Sequence, residues 1–183
     1  MTPTDALAAL LAASLLPLAN APSRTAGLYH LTDLDGFPRY IGSSTNLYRR
    51  IWSNHCAGDG NSHKHSTVLN AGRLYHDRKD ARSCPTDGKA AKALRAMVAR
   101  EFGGVRVLEL PGWSKVDLEH LEKAVKDLAP PPMKLWNDRK RLQASEPVEL
   151  VDRMLDRLGW SAAQRAALDR QNARWLSLTS AAA

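Results

Sequence analysis

Gly27-Leu28-Tyr29 and Tyr40-Ile41-Gly42 place two tyrosines beside glycines, and Leu47-Tyr48-Arg49-Arg50 follows directly. A phenol is an uncommon catalytic group. It titrates near 10 when unperturbed, so work on a proton calls for a cation close enough to lower that value. An arginine supplies such a field, and its planar fork also grips a phosphate through two parallel hydrogen bonds. Either tyrosine alone is explained by strand packing, because tyrosine is enriched in sheets. The pair beside Gly42 and Arg50 points instead to phosphate chemistry. Phosphodiester hydrolysis needs an in-line water, stabilisation of the charge that builds in the transition state, and help for the leaving oxygen.

The neighbouring pattern says what must hold these groups. Residues 27–31 read as a strand, Asp35-Gly36 as a hairpin turn, and residues 39–42 as the returning strand. Ser43-Ser44-Thr45-Asn46 offers several N-caps, with Leu47 and Ile51 on the buried face of the helix that follows. Residues 57–62 read as a loop, residues 65–75 carry a short helix around Val68 and Leu69, and residues 78–88 read as irregular. Leu94, Val98 and Phe102 stripe a helix over residues 90–102, stopped by Gly103-Gly104. A strand over residues 105–110 precedes a helix capped by Ser114 or Asp117, which Ala129-Pro130-Pro131-Pro132 ends. Val148, Val151, Leu155 and Leu158 stripe another helix, with all but the first expected to be buried, and Ser161-x-x-Gln164 is a capping box opening the last one. The fold class expected is α/β in the α+β sense: a small mixed three-stranded sheet with helices on its faces and further helices at both ends.

With 26 Lys and Arg against 19 Asp and Glu, the net charge is +7. That excess favours an anionic partner, nucleic acid being the commonest, because neutralised phosphates release counterions. Cys56 and Cys84 form no CxxC pair, which argues against a zinc site or a disulfide framework and makes a reducing cytoplasm the expected compartment. Residues 6–18 are apolar and Ala19-Asn20-Ala21 imitates a cleavage site, yet Asp5 is acidic and no Lys or Arg precedes the run. The run is too short to span a bilayer. It reads as a helix capped by Thr4 and packed on the domain.

These residues resemble the GIY-YIG endonuclease superfamily over about residues 25–140, with Gly27-Leu28-Tyr29 and Tyr40-Ile41-Gly42 standing for its two name motifs. The resemblance implies a catalytic arginine on the first helix. Leu47 takes the apolar slot three residues earlier, so Arg50 matches best and Arg49 next. It further implies a metal-binding glutamate on a late helix, matched by Glu122, and a supporting asparagine downstream, matched by Asn137. The family often has a histidine four residues beyond the arginine; here that position is Asn54, and His55 comes one later. A second family histidine is matched by His65. The catalytic set implied is thus Tyr29, Tyr40, Arg50, His55, His65 and Asn137, with Glu122 holding Mg²⁺ or Mn²⁺.

One carboxylate with several waters can hold Mg²⁺. Glu122 also reads as a solvated helix position, since it neighbours Leu121 and lies near Glu119. His55, His63 and His65 complete no regular zinc spacing with a cysteine or acid, and one of them serves as a general base or phosphate contact. An HNH-type nuclease site fits this spacing poorly. Arg73, Arg78, Lys79 and Arg82, interleaved with Tyr75 and His76, read either as a track for a phosphate backbone or as a solvated charged loop. Arg49, Lys64, Arg73, Arg78 and Lys79 are the expected DNA contacts. The organisation expected is an N-terminal helical extension (1–24), a nuclease-like domain (25–144) and a helical tail packed on it (145–183). Two functions follow: a metal-dependent DNA endonuclease leaving 5′-phosphate and 3′-hydroxyl ends, or a catalytically silent nucleic-acid-binding module of the same fold.

Overall fold

A computed structural model describes residues 1–20, 22–58, 63–78, 84–138, 142 and 145–181. Along the chain come α1 (Pro3–Ala12), β1 (Leu16–Pro17), β2 (Gly27–Thr32), β3 (Pro38–Ser44) and a π-helix (Arg49–His55). There follow α2 (Lys64–Val68), a 3₁₀ turn (Gly72–Leu74), α3 (Pro85–Phe102), β4 (Gly104–Glu109) and α4 (Lys115–Leu128). A 3₁₀ segment (Pro131–Asn137), α5 (Val148–Leu158) and α6 (Ala162–Ser180) complete the order. The chain divides into two compact units, one of residues 1–55 and 100–142, the other of residues 56–99 and 143–183.

The first unit is built on the sheet, in the order β1-β4-β2-β3. The α+β class stands, but the sheet is antiparallel at every pairing rather than mixed, and it has four strands rather than three. The added strand, β1, is two residues long and contains Pro17. Such a strand gives no alternating pattern, and proline suits only a sheet edge. Strand β2 lies in the middle and is buried along its whole length. Its turn into β3 is tied by Asp33, whose carboxylate accepts from the backbone of Asp35 and Phe37 and from Arg39 Nε, while Gly36 takes the positive φ of 84° that this turn requires.

Side chains alternate across a sheet. Leu28 and Ile41 therefore face one side, where they join Ala6 and Leu10 of α1 and Leu118, Leu121 and Val125 of α4 in one core. Helix α1 starts earlier than expected: Thr2, not Thr4, is the N-cap, because Pro3 suits the first helical position. Ser114 caps α4. On β3, the edge strand, Asn137 does the work of a neighbouring strand. Its Oδ1 accepts from Ile41 N at 3.1 Å and its Nδ2 donates to Ile41 O at 2.8 Å. Buried His30 donates from Nε2 to the Met133 carbonyl, tying the same 3₁₀ segment to β2.

The second unit is helical. Helix α3 opens at Pro85 with Asp87 in its first turn, so residues 85–88, expected as irregular, are helical. Ser161 and Gln164 form the reciprocal capping box. Val151 and Leu155 are buried, but Leu158, expected to be buried too, is 36% exposed at the last turn of α5. Gly159 then ends that helix in the left-handed conformation. Ion pairs tie the helices: Arg73 Nε to Glu146 and NH1 to Asp152, both at 2.5 Å, and Arg170 to both oxygens of Asp87 at 2.8 Å. No helix among the described residues is long and apolar enough to cross a membrane.

Candidate active site

Tyr29 lies opposite Gly42 in the β2–β3 pairing. A Cβ on residue 42 would sit 2.5 Å from the Tyr29 Oη and 2.7 Å from the Tyr40 ring. The glycine of Tyr40-Ile41-Gly42 is thus the space into which the Tyr29 phenol is laid. The two rings stand 6.0 Å apart between centroids, and His55 packs edge-on against both at 5.4 Å.

The helix after β3 covers residues 47–57. Asn46 is the residue that caps it, its Oδ1 accepting from Arg49 N. Leu47 and Ile51 are fully buried, as their spacing implies. The middle of the helix departs from α geometry: Arg49–His55 is wound as a π-helix. This winding brings His55 to the tyrosines. Residues five apart on an α-helix are turned about 140° from one another, whereas the i→i+5 hydrogen bonds of a π-helix bring them back toward one side. Arg50 and His55 are such a pair. Arg50 Nε donates to Tyr29 Oη at 3.2 Å, and His55 Nε2 lies 2.8 Å from the same oxygen. The extra residue between arginine and histidine is absorbed by the helix itself. His65 lies in α2 of the second unit, where it is buried.

The electrostatics differ from the sequence expectation. Arg50 was to lower the Tyr29 phenol. Burial instead pushes that phenol well above its ordinary value, Tyr40 adds to the rise, and the pull of Arg50 is outweighed. Tyr29 therefore rests as the neutral phenol. Its oxygen accepts from Arg50 and shares a second hydrogen bond with His55 Nε2, whose direction follows the tautomer of the imidazole. For Arg50, burial opposes the charge, but Tyr29 and Tyr40 together overcome it and hold the guanidinium above its ordinary value.

Glu122 extends from α4 beside this group, close enough that its charge adds to the rise at Tyr29. Its Oε2 accepts from Ser43 Oγ at 2.5 Å and its Oε1 from Lys126 Nζ at 2.9 Å. Carboxylate and hydroxyl oxygens are hard donors that suit Mg²⁺ or Mn²⁺. Among the described residues no three His, Cys, Asp or Glu side chains gather as a metal cluster. A divalent ion here would have Glu122 as its carboxylate and water for most other positions, the arrangement usual for Mg²⁺. Sequence reasoning missed both partners of Glu122. Lys126 was visible as an i, i+4 pair; Ser43 was visible only as a candidate cap.

The remaining expected residues fall outside this cluster. Asn137 spends its amide on the Ile41 backbone and so places β3 rather than touching the phenols. Arg49 is exposed on the helix that carries Arg50, and Arg78 is exposed in the second unit. Arg73 is held by two carboxylates, and Lys64 is buried at 7% exposure, so neither presents the open cation that a backbone contact needs. Lys79 and Arg82 lie outside the described residues, as does the loop expected over residues 59–62.

A four-stranded antiparallel sheet with two phenols, an arginine and a histidine converging on one point defines a nuclease-type domain. The sequence matches the GIY-YIG catalytic domain over residues 25–134, and the chain belongs to that family. No curated protein and no solved structure matched the chain.

Proposed function

We propose that this chain is a metal-dependent DNA endonuclease that hydrolyses a phosphodiester bond at Tyr29, Arg50 and His55. The hydrogen-bonded line Arg50–Tyr29–His55 carries the proposal. The guanidinium edge left over from Tyr29 and Tyr40 receives the non-bridging oxygens of the phosphate and offsets their growing charge. Tyr29 Oη accepts the proton of the attacking water as it hands its own to His55 Nε2. A phenol with a raised value fits that relay, because no free phenolate is needed at any point. Glu122 would hold the metal ion, which supplies Lewis-acid stabilisation to the phosphate and leaving oxygen when bound. Asn137 acts as a positioning residue by fixing the Ile41 backbone beside Tyr40. The extensions at residues 1–24 and 145–183 are assigned to substrate choice rather than to chemistry.

One observation favours a silent module: the Lys126 ammonium already sits on Glu122, where a metal ion would bind. Labelled single- and double-stranded DNA incubated with Mg²⁺, Mn²⁺ or a chelator separates the readings. Cleavage is expected only with metal, and Glu122→Ala should bring it below detection while the melting temperature and most DNA affinity persist. Binding without cleavage under every condition supports the silent module, and near-normal cleavage by Glu122→Ala removes Glu122 from the metal site.

A further inference from the structure

The helix of residues 47–57 carries a second group of aromatic and cationic side chains, away from its core stripe. Tyr48 and Trp52 stack on successive turns, their ring centroids 6.3 Å apart and their planes 21° from parallel. The Arg24 guanidinium lies over the Tyr48 ring at 5.1 Å, and the Arg100 guanidinium lies over the Trp52 ring at 4.0 Å. Arg100 also donates to the Trp52 carbonyl at 3.4 Å. The four form one column in the first unit: cation, ring, ring, cation. Leu47 and Ile51 pack the core side of this helix and are fully buried, whereas Tyr48 and Trp52 are only partly covered and Arg24 is exposed. The column is therefore a surface feature and not an overflow of the core.

We infer that this column binds single-stranded nucleic acid, with an unpaired base taking the place of the exposed Arg24 guanidinium against the Tyr48 ring and that guanidinium meeting an adjoining phosphate. This rests on the nuclease reading of the neighbouring site and names the form of its substrate. Three features carry it. Aromatic rings and guanidinium planes are the surfaces on which unpaired bases stack, whatever their sequence. Charge is complementary: Arg24 of the column is exposed, Arg100 is half-buried behind it, and exposed Arg49 is on the same helix. In a duplex the base faces are covered by one another, so a stacking column of this kind meets only unpaired bases.

The test uses the full chain with chelator present, so that binding is read without turnover. Fluorescence anisotropy compares three probes: an oligothymidylate, an abasic strand of the same length and charge, and a blunt duplex. The oligothymidylate should bind about tenfold more tightly than the abasic strand, in line with the worth of base–aromatic stacking. Tyr48→Leu, which keeps apolar bulk, should erase that difference, and Tyr48→Phe should restore most of it. If Tyr48→Leu fails to fold, Trp52→Leu, which removes the ring that backs Tyr48, is read in its place. Equal affinity of the native chain for thymidylate and abasic strands overturns the inference, as does a Leu variant that weakens both strands alike or a native preference for duplex. Cleavage with Mg²⁺ is measured in parallel. Cleavage without base dependence defeats the column alone, and base-dependent binding without cleavage defeats the nuclease reading alone.

Discussion

Two arginines, one in each unit, are held in opposite ways. Arg50 meets two phenols, not carboxylates, and stays a net cation. Arg73 meets the carboxylates of Glu146 and Asp152, and its backbone N–H also donates to Glu146. Each guanidinium is held above its ordinary value, against the pull of burial, by its oxygen partners. The charge of the partner decides what each arginine can do. A guanidinium matched by carboxylates has no attraction left for a phosphate and serves the fold. One oriented by phenols is fixed in place with its charge unspent, which suits it to receive an anion.

That contrast breaks most sharply on kinetics. Arg50→Lys keeps the charge and loses the planar fork, so the single-turnover rate should fall about 10² or more, the scale of removing one preorganised donor. The melting temperature should hardly move. The same change at exposed Arg49 should leave the rate and weaken binding, with a shallower dependence on salt. If Arg49→Lys is the slower enzyme, the contrast has been drawn at the wrong residue. Arg73→Ala should do the reverse of Arg50→Lys. Two carboxylates lose their partner, so unfolding free energy should fall by about 3 kcal/mol while the rate stays near normal. Loss of rate with stability intact would give Arg73 a part in the chemistry. A smaller effect sharpens the electrostatic side. The folded-state value of Tyr29 is raised, so its contribution to stability is complete below the unfolded value near 10. It declines as pH rises beyond that, because the unfolded chain gives up a proton that the folded chain keeps. Thermal melts at about pH 9 and about pH 11 should show a steeper loss for the native chain than for Tyr29→Phe. Parallel losses would mean that Tyr29 ionises freely when folded.

The hairpin and its tyrosines were legible because a strand pair is written in short-range pattern, with Asp35-Gly36 marking the turn. Arg50 and Glu122 were expected through the family resemblance, Arg50 by its offset to Leu47 and Glu122 by its place on a late helix. The strand Leu16–Pro17 was not, since two residues carry no period and depend on a partner, β4, that lies far along the chain. The arrival of His55 at Tyr29 was hidden for another reason: it depends on how a helix is wound. Local pattern gives a helix and its buried stripe, but not the i→i+5 winding within it. The neutral state of Tyr29 was equally out of reach, because depth of burial outweighed a cation that the sequence did reveal. Leu158 failed at an element end, where a striped face runs out of core to meet.

The π-helix has a consequence for how insertions are tolerated. An added residue in a rigid α-helix turns everything beyond it by about 100° and would carry a downstream side chain out of register. Here the slack is taken up within Arg49–His55, and a side chain one position late still arrives at Tyr29. The interval between two cooperating residues is therefore not a fixed ruler in this site. Pitch is an adjustable quantity, and counting residues between an arginine and a histidine would judge this chain to lack a group that it has.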